Sequence, residues 1–574
     1  ALVIGTVDYY NALTDMLTKG IRHSSPPDCP NQKGYPAVKT MKITDYLQKT
    51  RNAILRIDYK LLLPLFLLSV AQTIWRGYQF GIGNHSIQIS ILKHYLDASL
   101  YPNDAMLATA PHFVTFFFMF AAVLVKLFGH IETIFFIFHI LTQFLILVAI
   151  YYLGTLIFED GASAVIGVFL MLPSKILLGA GLIHWTHLTH TFFVLPYILF
   201  SIYFFLKNRY ILAYALLGIS FNINCQSAAF VFPMFALVSL LQLKERNWRD
   251  VTKELGVFFL CASPTLVWLL VTMGGPLTDE WMEQLRARSN HHSFPFTWSK
   301  QHYSNYLLFV GLGILTWIFA LSNSAQTGVS TNSSGNSIIK NKDMHRKIGL
   351  FALTVAIMCT MAVVFAEWIP VKLVLRSQLF RSTKFLTIFI LIYASYYIRQ
   401  SWEKGIAHKI AALGTFLALF FSAYYQWLFV IIALYLILDA RKISPWALFP
   451  VASILVFYLF VPHYELPSSL DFNSLASLIQ TFLENKFIVL ILCLFILLKS
   501  FGKQPRLEGN LSALSMRWLY WLTIVVTIGV MFGYILPSIY KGYHPPLDER
   551  GNWIKMQVWV KENTPKDALF ITPP

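Results

Sequence analysis

The chain has 574 residues, of which 56% are hydrophobic, 16% aromatic and only 13% charged, and its mean hydropathy is +0.58. A soluble domain carries roughly 25% charged residues, so a water-soluble enzyme is excluded. The net charge of +17 would suggest nucleic acid in a soluble chain. Here Lys and Arg lie mostly at the ends of apolar runs and in loops, so membrane lipids with anionic headgroups are the expected partner and nucleic acid is not.

Residues 1–40 are polar and rich in Gly and Pro, without the apolar core of a signal peptide. Met41 is the more natural start, and 1–48 reads as a polar tail. Lys49, Arg51, Arg56 and Lys60 crowd the front of the first apolar run, 61–75. The positive-inside rule then places this end in the cytoplasm and the loop 76–112 on the far side. That loop holds Gly77, Gly81, Gly83, His85, a helically spaced stretch 87–96 with His94, and the two carboxylates Asp97 and Asp104.

Further spans read as 113–128, 131–158, 162–180, 191–206, 211–222, 227–243 and 255–272. The third run is too long for a straight crossing and must tilt or project. Short neighbouring runs, as around Asn224, are compatible with one broken helix. A second polar loop, 274–305, precedes a span at 306–321. The Ser/Asn/Gly-rich stretch 322–347 reads as a flexible linker. Spans then follow at 348–365, 385–398, 406–421, 427–438, 446–461, 487–498 and 516–535. The expectation is an all-α polytopic membrane protein of about thirteen to fifteen spans, its membrane domain covering 49–540. After 541 the composition turns polar. A helical stripe at 553–559, a turn at 562–567 and a strand at 568–572 read as the opening of a soluble α/β domain, truncated at 574.

Five cysteines (Cys29, Cys225, Cys261, Cys359 and Cys493) are widely scattered and show no CxxC or metal spacing, so they read as small apolar packers. No P-loop, GxSxG, HExxH or Rossmann fingerprint occurs, which argues against soluble nucleotide-sugar or ATP chemistry.

Three short runs carry a resemblance. Leu100, Tyr101, Pro102, Asn103 and Asp104 form the first. His291, His292, Phe294, Pro295, Phe296 and Trp298 form the second, and Trp559 with Asn563, Thr564, Pro565, Lys566, Asp567 and Ala568 the third. With a basic start, one span, a long acidic outer loop and many further spans, the chain resembles the GT-C membrane glycosyltransferases. The likeness extends to bacterial membrane proteins grouped with that fold. The resemblance implies a GT-C-like helix bundle in the bacterial inner membrane. It also implies a polyprenyl-phosphate-linked sugar as donor. Family members usually place an acidic residue soon after the first span, where this chain has Gly81, Asn84 and His85 instead.

Glycosyl transfer to a hydroxyl wants a carboxylate to take the acceptor proton, and Asp104, then Asp97, are the candidates. Asp104 can equally cap the turn after it, and Asp97 can end its helix at an ordinary turn. His85 and His94 in the same loop are candidate substrate contacts. His184, His187 and His190 follow one another at spacings of three. That spacing puts His184 and His187 on one face if the segment is helical, as pocket-lining residues rather than metal ligands, since no acidic partner is near. In the second loop Arg286, Arg288, His291, His292 and Trp298 can cradle a pyrophosphate or stack on a sugar, whereas Glu280 and Glu283 precede Arg286 at helical spacing and can simply pair with it as a solvated face. Arg376 and Arg381 are the expected lipid-phosphate clamp, against generic headgroup attraction. No cofactor is expected, and a divalent metal is not indicated. The rival readings are a transporter or flippase for a lipid or small polar solute, and a non-catalytic relative that binds a lipid-linked glycan.

Overall fold

The computed structural model describes residues 59–420, apart from 102–103, 174, 176, 273–276 and 328–335, together with 555, 559, 562 and 563. The expected tail 1–48, the spans from 427 onward and the α/β opening at 541–574 lie outside the described residues, those four positions aside. Among the described residues there is no β-strand. Five helices are long and apolar enough to cross a membrane: Ile131–Phe158, Cys225–Lys244, Trp248–Thr272, Asn305–Asn323 and Lys342–Trp368. Shorter apolar helices accompany them.

In chain order the helices used below are α1 (Tyr59–Arg76), α2 (His85–Leu96), α3 (Ala105–Ala108), α4 (Phe117–Phe128), α5 (Ile131–Phe158), α6 (Gly161–Met171), α7 (His190–Leu206), α8 (Tyr210–Ile223), α9 (Cys225–Leu241), α10 (Trp248–Thr272), α11 (Asp279–Ser293), α12 (Lys300–Thr327), α13 (Asn336–Val363), α14 (Lys372–Ser377), α15 (Thr383–Trp402) and α16 (Ile406–Phe420). Their starts follow local chemistry. Asp160, Thr189, Asn224 and Thr278 each accept a backbone N–H of the first turn of α6, α7, α9 and α11, which satisfies donors that have no partner inside the helix. α5 has 28 residues, about 42 Å at 1.5 Å per residue, longer than a straight crossing as its sequence required.

Asn224 does not join two halves of one helix. With φ −148° and ψ 97° it turns the chain back on itself, so α8 and α9 form an antiparallel hairpin. Tyr214 Oη lies 3.1 Å from Ser239 Oγ, and Tyr210 Oη donates to Gln242 Oε1 at 3.2 Å. One straight helix would hold Tyr210 and Gln242 about 48 Å apart. The expected linker 322–347 is also corrected at both ends: α12 continues to Thr327 and α13 begins at Asn336. α13 extends into the linker's polar end because Asp343 pairs with Lys347 at 2.7 Å and Lys347 reaches Asn208 Oδ1 at 2.6 Å.

The bundle interior is aromatic and close-packed. Phe205 stacks on Phe235 at 4.0 Å, between α7 and α9. α8 and α10 approach so closely that a Cβ on Gly218 would meet Cys261 Cβ and the Phe258 carbonyl, each at 2.7 Å. Small residues allow such approach where helices pack without a hydrophobic driving force between them. Gly218→Val is therefore expected to cost about 1–3 kcal/mol through overpacking. Gly256→Ala, with nothing within 4 Å, is expected to leave stability unchanged or slightly higher. Thermal unfolding of the two variants in detergent checks the contrast, and equal melting temperatures would contradict it.

Candidate functional site

The helix ends divide into two polar zones. One gathers Asn208, Tyr210, Gln242, Arg246, Asp343 and Lys347, which are largely satisfied by one another: Lys347, only 2% exposed in its side chain, bonds Asn208 and Tyr210, and Arg246 pairs with Glu254 while covering the Tyr210 ring at 3.9 Å. The other zone gathers the first loop, the stretch 172–190, the α8–α9 turn, α11 and the 364–384 segment. The candidate residues lie here.

Its centre is not helical. α6 stops at Met171, just before Pro173, and regular α-helix resumes only at His190, with a 3-10 turn at Leu178–Ala180 in which Gly179 has φ +67°. The helical face expected for His184 and His187 therefore does not exist. Pro173 has no N–H to give a helical bond, and a Cβ on Gly179 would meet Phe380 Cβ at 2.9 Å.

A chain without helical bonds inside an apolar bundle must find partners for its carbonyls elsewhere. Five carbonyls of this stretch do so from four directions. Gln72 Nε2 donates to Leu172 O at 2.7 Å, His292 Nδ1 to Gly179 O at 2.9 Å and Arg76 Nη2 to His184 O at 3.3 Å. The Gln79 amide donates to Thr186 O at 2.8 Å, and His85 Nε2 to Leu188 O at 2.7 Å. His85 is 1% exposed; the Gly81 amide donates to its Nδ1 at 3.2 Å, which fixes the proton on Nε2. His184 faces Gln143 at 2.9 Å, and Gln143 also donates to Gln72. Gln72, Gln143 and His139 were not singled out in the sequence. The signal was three polar residues inside apolar runs, two of them four apart on α5, which is costly unless paired or used.

The remaining candidates divide. His187 packs edge-on against His85, ring centroids 4.7 Å apart, and beside Trp185 at 5.4 Å; its Nε2 has no partner. Desolvation, then the nearby His85, pulls its imidazole down to about 4. Gln88 reaches His190 Nδ1 at 3.3 Å. His94 binds the Leu100 carbonyl at 3.1 Å, apart from this cluster. His291 is exposed and lies over His292, centroids 3.9 Å apart. Trp298 donates to Asn290 O at 3.0 Å and meets Phe380 edge-on at 4.8 Å.

Arg381 and Arg376 part company. Arg381 Nη2 lies 2.9 Å from His292 Nε2 and within electrostatic reach of His190. Lys384, 3% exposed, follows it and donates to Ser227 Oγ at 3.1 Å. Arg376 is exposed and sits 5.9 Å from the Trp281 ring. Among the described residues no carboxylate pairs with Arg76, Lys175, Arg381 or Lys384, whereas Arg286 pairs with Glu367 at 3.6 Å. Desolvation lowers the Arg381 guanidinium to about 10. Desolvation with Arg76 nearby brings Lys175 to about 7.

Both loop carboxylates are exposed and make local bonds through one oxygen. Asp104 Oδ1 caps α3, accepting from Met106 N at 2.8 Å and Leu107 N at 3.1 Å. Asp97 Oδ1 accepts from Ser99 N and Ser99 Oγ at 2.9 and 2.7 Å, and these bonds hold its carboxyl below the usual range. Each leaves Oδ2 free to face a reacting group. No group of three or more His, Cys, Asp or Glu among the described residues can hold a metal ion. No protein-family model, curated protein or solved structure matches the chain.

Two outcomes follow for stability. Asp104→Ala is expected to lose about 0.5–2 kcal/mol of capping, while Asp104→Asn keeps the cap, as read by denaturation in detergent. His187 and His292 sit near 4 when folded and near 6.5 when unfolded. Between those values the unfolded chain binds more protons, so stability is full above about pH 6.5 and falls as pH drops towards 4. A melting temperature flat from pH 7 to pH 4 would contradict this, and His187→Gln should flatten the slope.

Proposed function

We propose that the chain is a membrane glycosyltransferase, moving a sugar from a polyprenyl-phosphate donor to an acceptor at the outer face of a bacterial cytoplasmic membrane. The observation that carries this reading is the proximity of two desolvated cations, Arg381 and Lys384, beside His292 and with no carboxylate paired to either among the described residues. A buried charge with no partner is costly. Arg offers a planar fork for phosphate oxygens, and Lys adds a compact charge. A phosphate arriving sideways from the bilayer would satisfy both. Orientation is supported by the opposite zone, where Lys207, Arg209, Lys244, Arg246, Arg249 and Lys253 gather at helix ends, as cytoplasmic loops do.

In the reaction the bond from the sugar's anomeric carbon to the phosphate oxygen breaks as the acceptor oxygen bonds that carbon. The acceptor proton passes to Asp104 Oδ2, and Arg381 and Lys384 neutralise the phosphate that leaves on the lipid. Asp104 suits the base better than Asp97, whose two Ser99 bonds weaken it as a proton acceptor. A second reading, transporter or flippase, draws support from the Gln72–Gln143 pair inside apolar helices.

The test is purified full-length protein with radiolabelled polyprenyl-phosphate sugar, following free polyprenyl phosphate. Arg381→Ala is expected to lower release about 100-fold or more. Asp104→Asn, which keeps the cap, should lower the rate about 10²–10⁴-fold with donor binding unchanged. Release unchanged in both variants would sink the reading. Lipid or solute flux in liposomes without sugar release would favour the transporter.

A further inference from the structure

Under the first loop, Tyr78 Oη, His139 Nδ1, Trp185 Nε1 and His187 Nε2 are sealed polar atoms with no partner among the described residues. So are Gln88 Oε1 and His184 Nε2, whose side chains bond His190 and Gln143 through Nε2 and Nδ1 respectively. The first four lie in one cluster. The Tyr78 ring is 5.0 Å from His139, Trp185 is 5.4 Å from His187, and His139 is within electrostatic reach of His187 and His85. Orphaned buried donors and acceptors are rare because each forfeits its bonds to water. Here four come as a set, with a phenol, an indole and two imidazoles.

We propose that Tyr78, His139, Trp185 and His187 form a sugar-binding site beneath the first loop. It takes an uncharged, hydroxyl-bearing sugar and rejects an amino sugar that carries a free ammonium. The assignment rests on the lipid-phosphate reading above and says which donors that site accepts. A sugar hydroxyl both donates and accepts. The phenol and imidazoles do the same, while the indole only donates. Ring faces of Tyr78 and Trp185 can cover the apolar side of a sugar.

Charge supplies the selectivity. Arg76 stands against the cluster and Lys175 interacts with Arg76. Glu132, the carboxylate within electrostatic reach of Tyr78, is exposed. An ammonium would meet positive charge without a buried anion, whereas neutral hydroxyls would not. The four atoms are closed from solvent, and Tyr78 is part of their own roof. That roof turns at Gly77, Gly81 and Gly83, whose φ values of +75°, +85° and +54° favour glycine, and it rests on the bundle through the Gln79–Thr186 bond. Entry is by movement of this turn.

The experiment is equilibrium binding to the full chain in lipid nanodiscs, with four probes: polyprenyl phosphate, its hexose, its amino sugar, and a methyl hexoside. The hexose form is expected to bind about five- to tenfold tighter than the bare carrier, and the amino-sugar form no tighter. Tyr78→Phe and His187→Ala should each remove the hexose gain while leaving bare-carrier affinity intact. The proposal is overturned if the sugar adds nothing, if the amino sugar matches the hexose, or if the variants weaken all probes alike or none. Should the parent bind no carrier at all, the phosphate reading fails separately, and the methyl hexoside decides: binding that Tyr78→Phe abolishes upholds the sugar site, and its absence overturns it.

Discussion

Unhelical backbone inside an apolar bundle is the constraint on which this structure turns. Between Met171 and His190 the described residues form little helix to satisfy their carbonyls, and inside an apolar bundle water is not there to replace it. Each carbonyl bond is worth only about 0.5–1.5 kcal/mol net, but an unmade one costs about 1–3 kcal/mol. The five donors that reach Leu172, Gly179, His184, Thr186 and Leu188 come from α1, the first loop, α2 and the end of α11. The stretch is thus held as a hub, and the elements that hold it are the ones that carry the candidate site. Gln143 adds a register key: by bonding Gln72 and facing His184 it fixes how α1, α5 and the hub meet.

This separates two kinds of polar residue that look alike in a sequence. His85 and His184 are both buried histidines near a loop, as is His187. His85 has both ring nitrogens engaged, and its neighbours dictate its tautomer. His187 has a nitrogen with nothing to bond. The first is explained by folding alone; the second is not. The same division applies to cations, since Lys347 and Arg246 are matched by Asp343 and Glu254, while among the described residues Arg381 and Lys384 stand near each other with no carboxylate paired to either.

Much of the helical framework was legible because apolar period and length suffice for it. α2, α5 and α7 lie where the spacing put them, α10 covers the expected 255–272 but starts at Trp248, and Asp104 sits at the N-terminus of a short helix, as its place before Ala105 suggested. What was not legible needed long-range partners. Nothing local shows that Asn224 turns a hairpin, because an Asn that caps one helix looks the same within a broken one; the Tyr214–Ser239 contact decides it. The spacing of His184, His187 and His190 imitates a helix face, and only Pro173, Gly179 and Gly181 hinted otherwise. Arg376 and Arg381 are indistinguishable by sequence. Their separation comes from Gln378, whose left-handed backbone (φ 49°) ends α14 and sends Arg381 towards His292 while Arg376 stays on Trp281.

The placement of charge also bears on how a lipid-linked donor would be divided between the two halves of the zone. His190 stands between them, touching Gln88 of α2 on one side and lying within reach of Arg381 on the other. The Arg381 side is cationic and made from the 364–384 segment and α11. The Tyr78 side is mostly neutral and roofed by the first loop. On the proposed reading the phosphate would take the first environment and the sugar ring the second. The hub makes that adjacency possible because irregular backbone can offer carbonyls in several directions. A helix through the same residues would have kept them along its own axis.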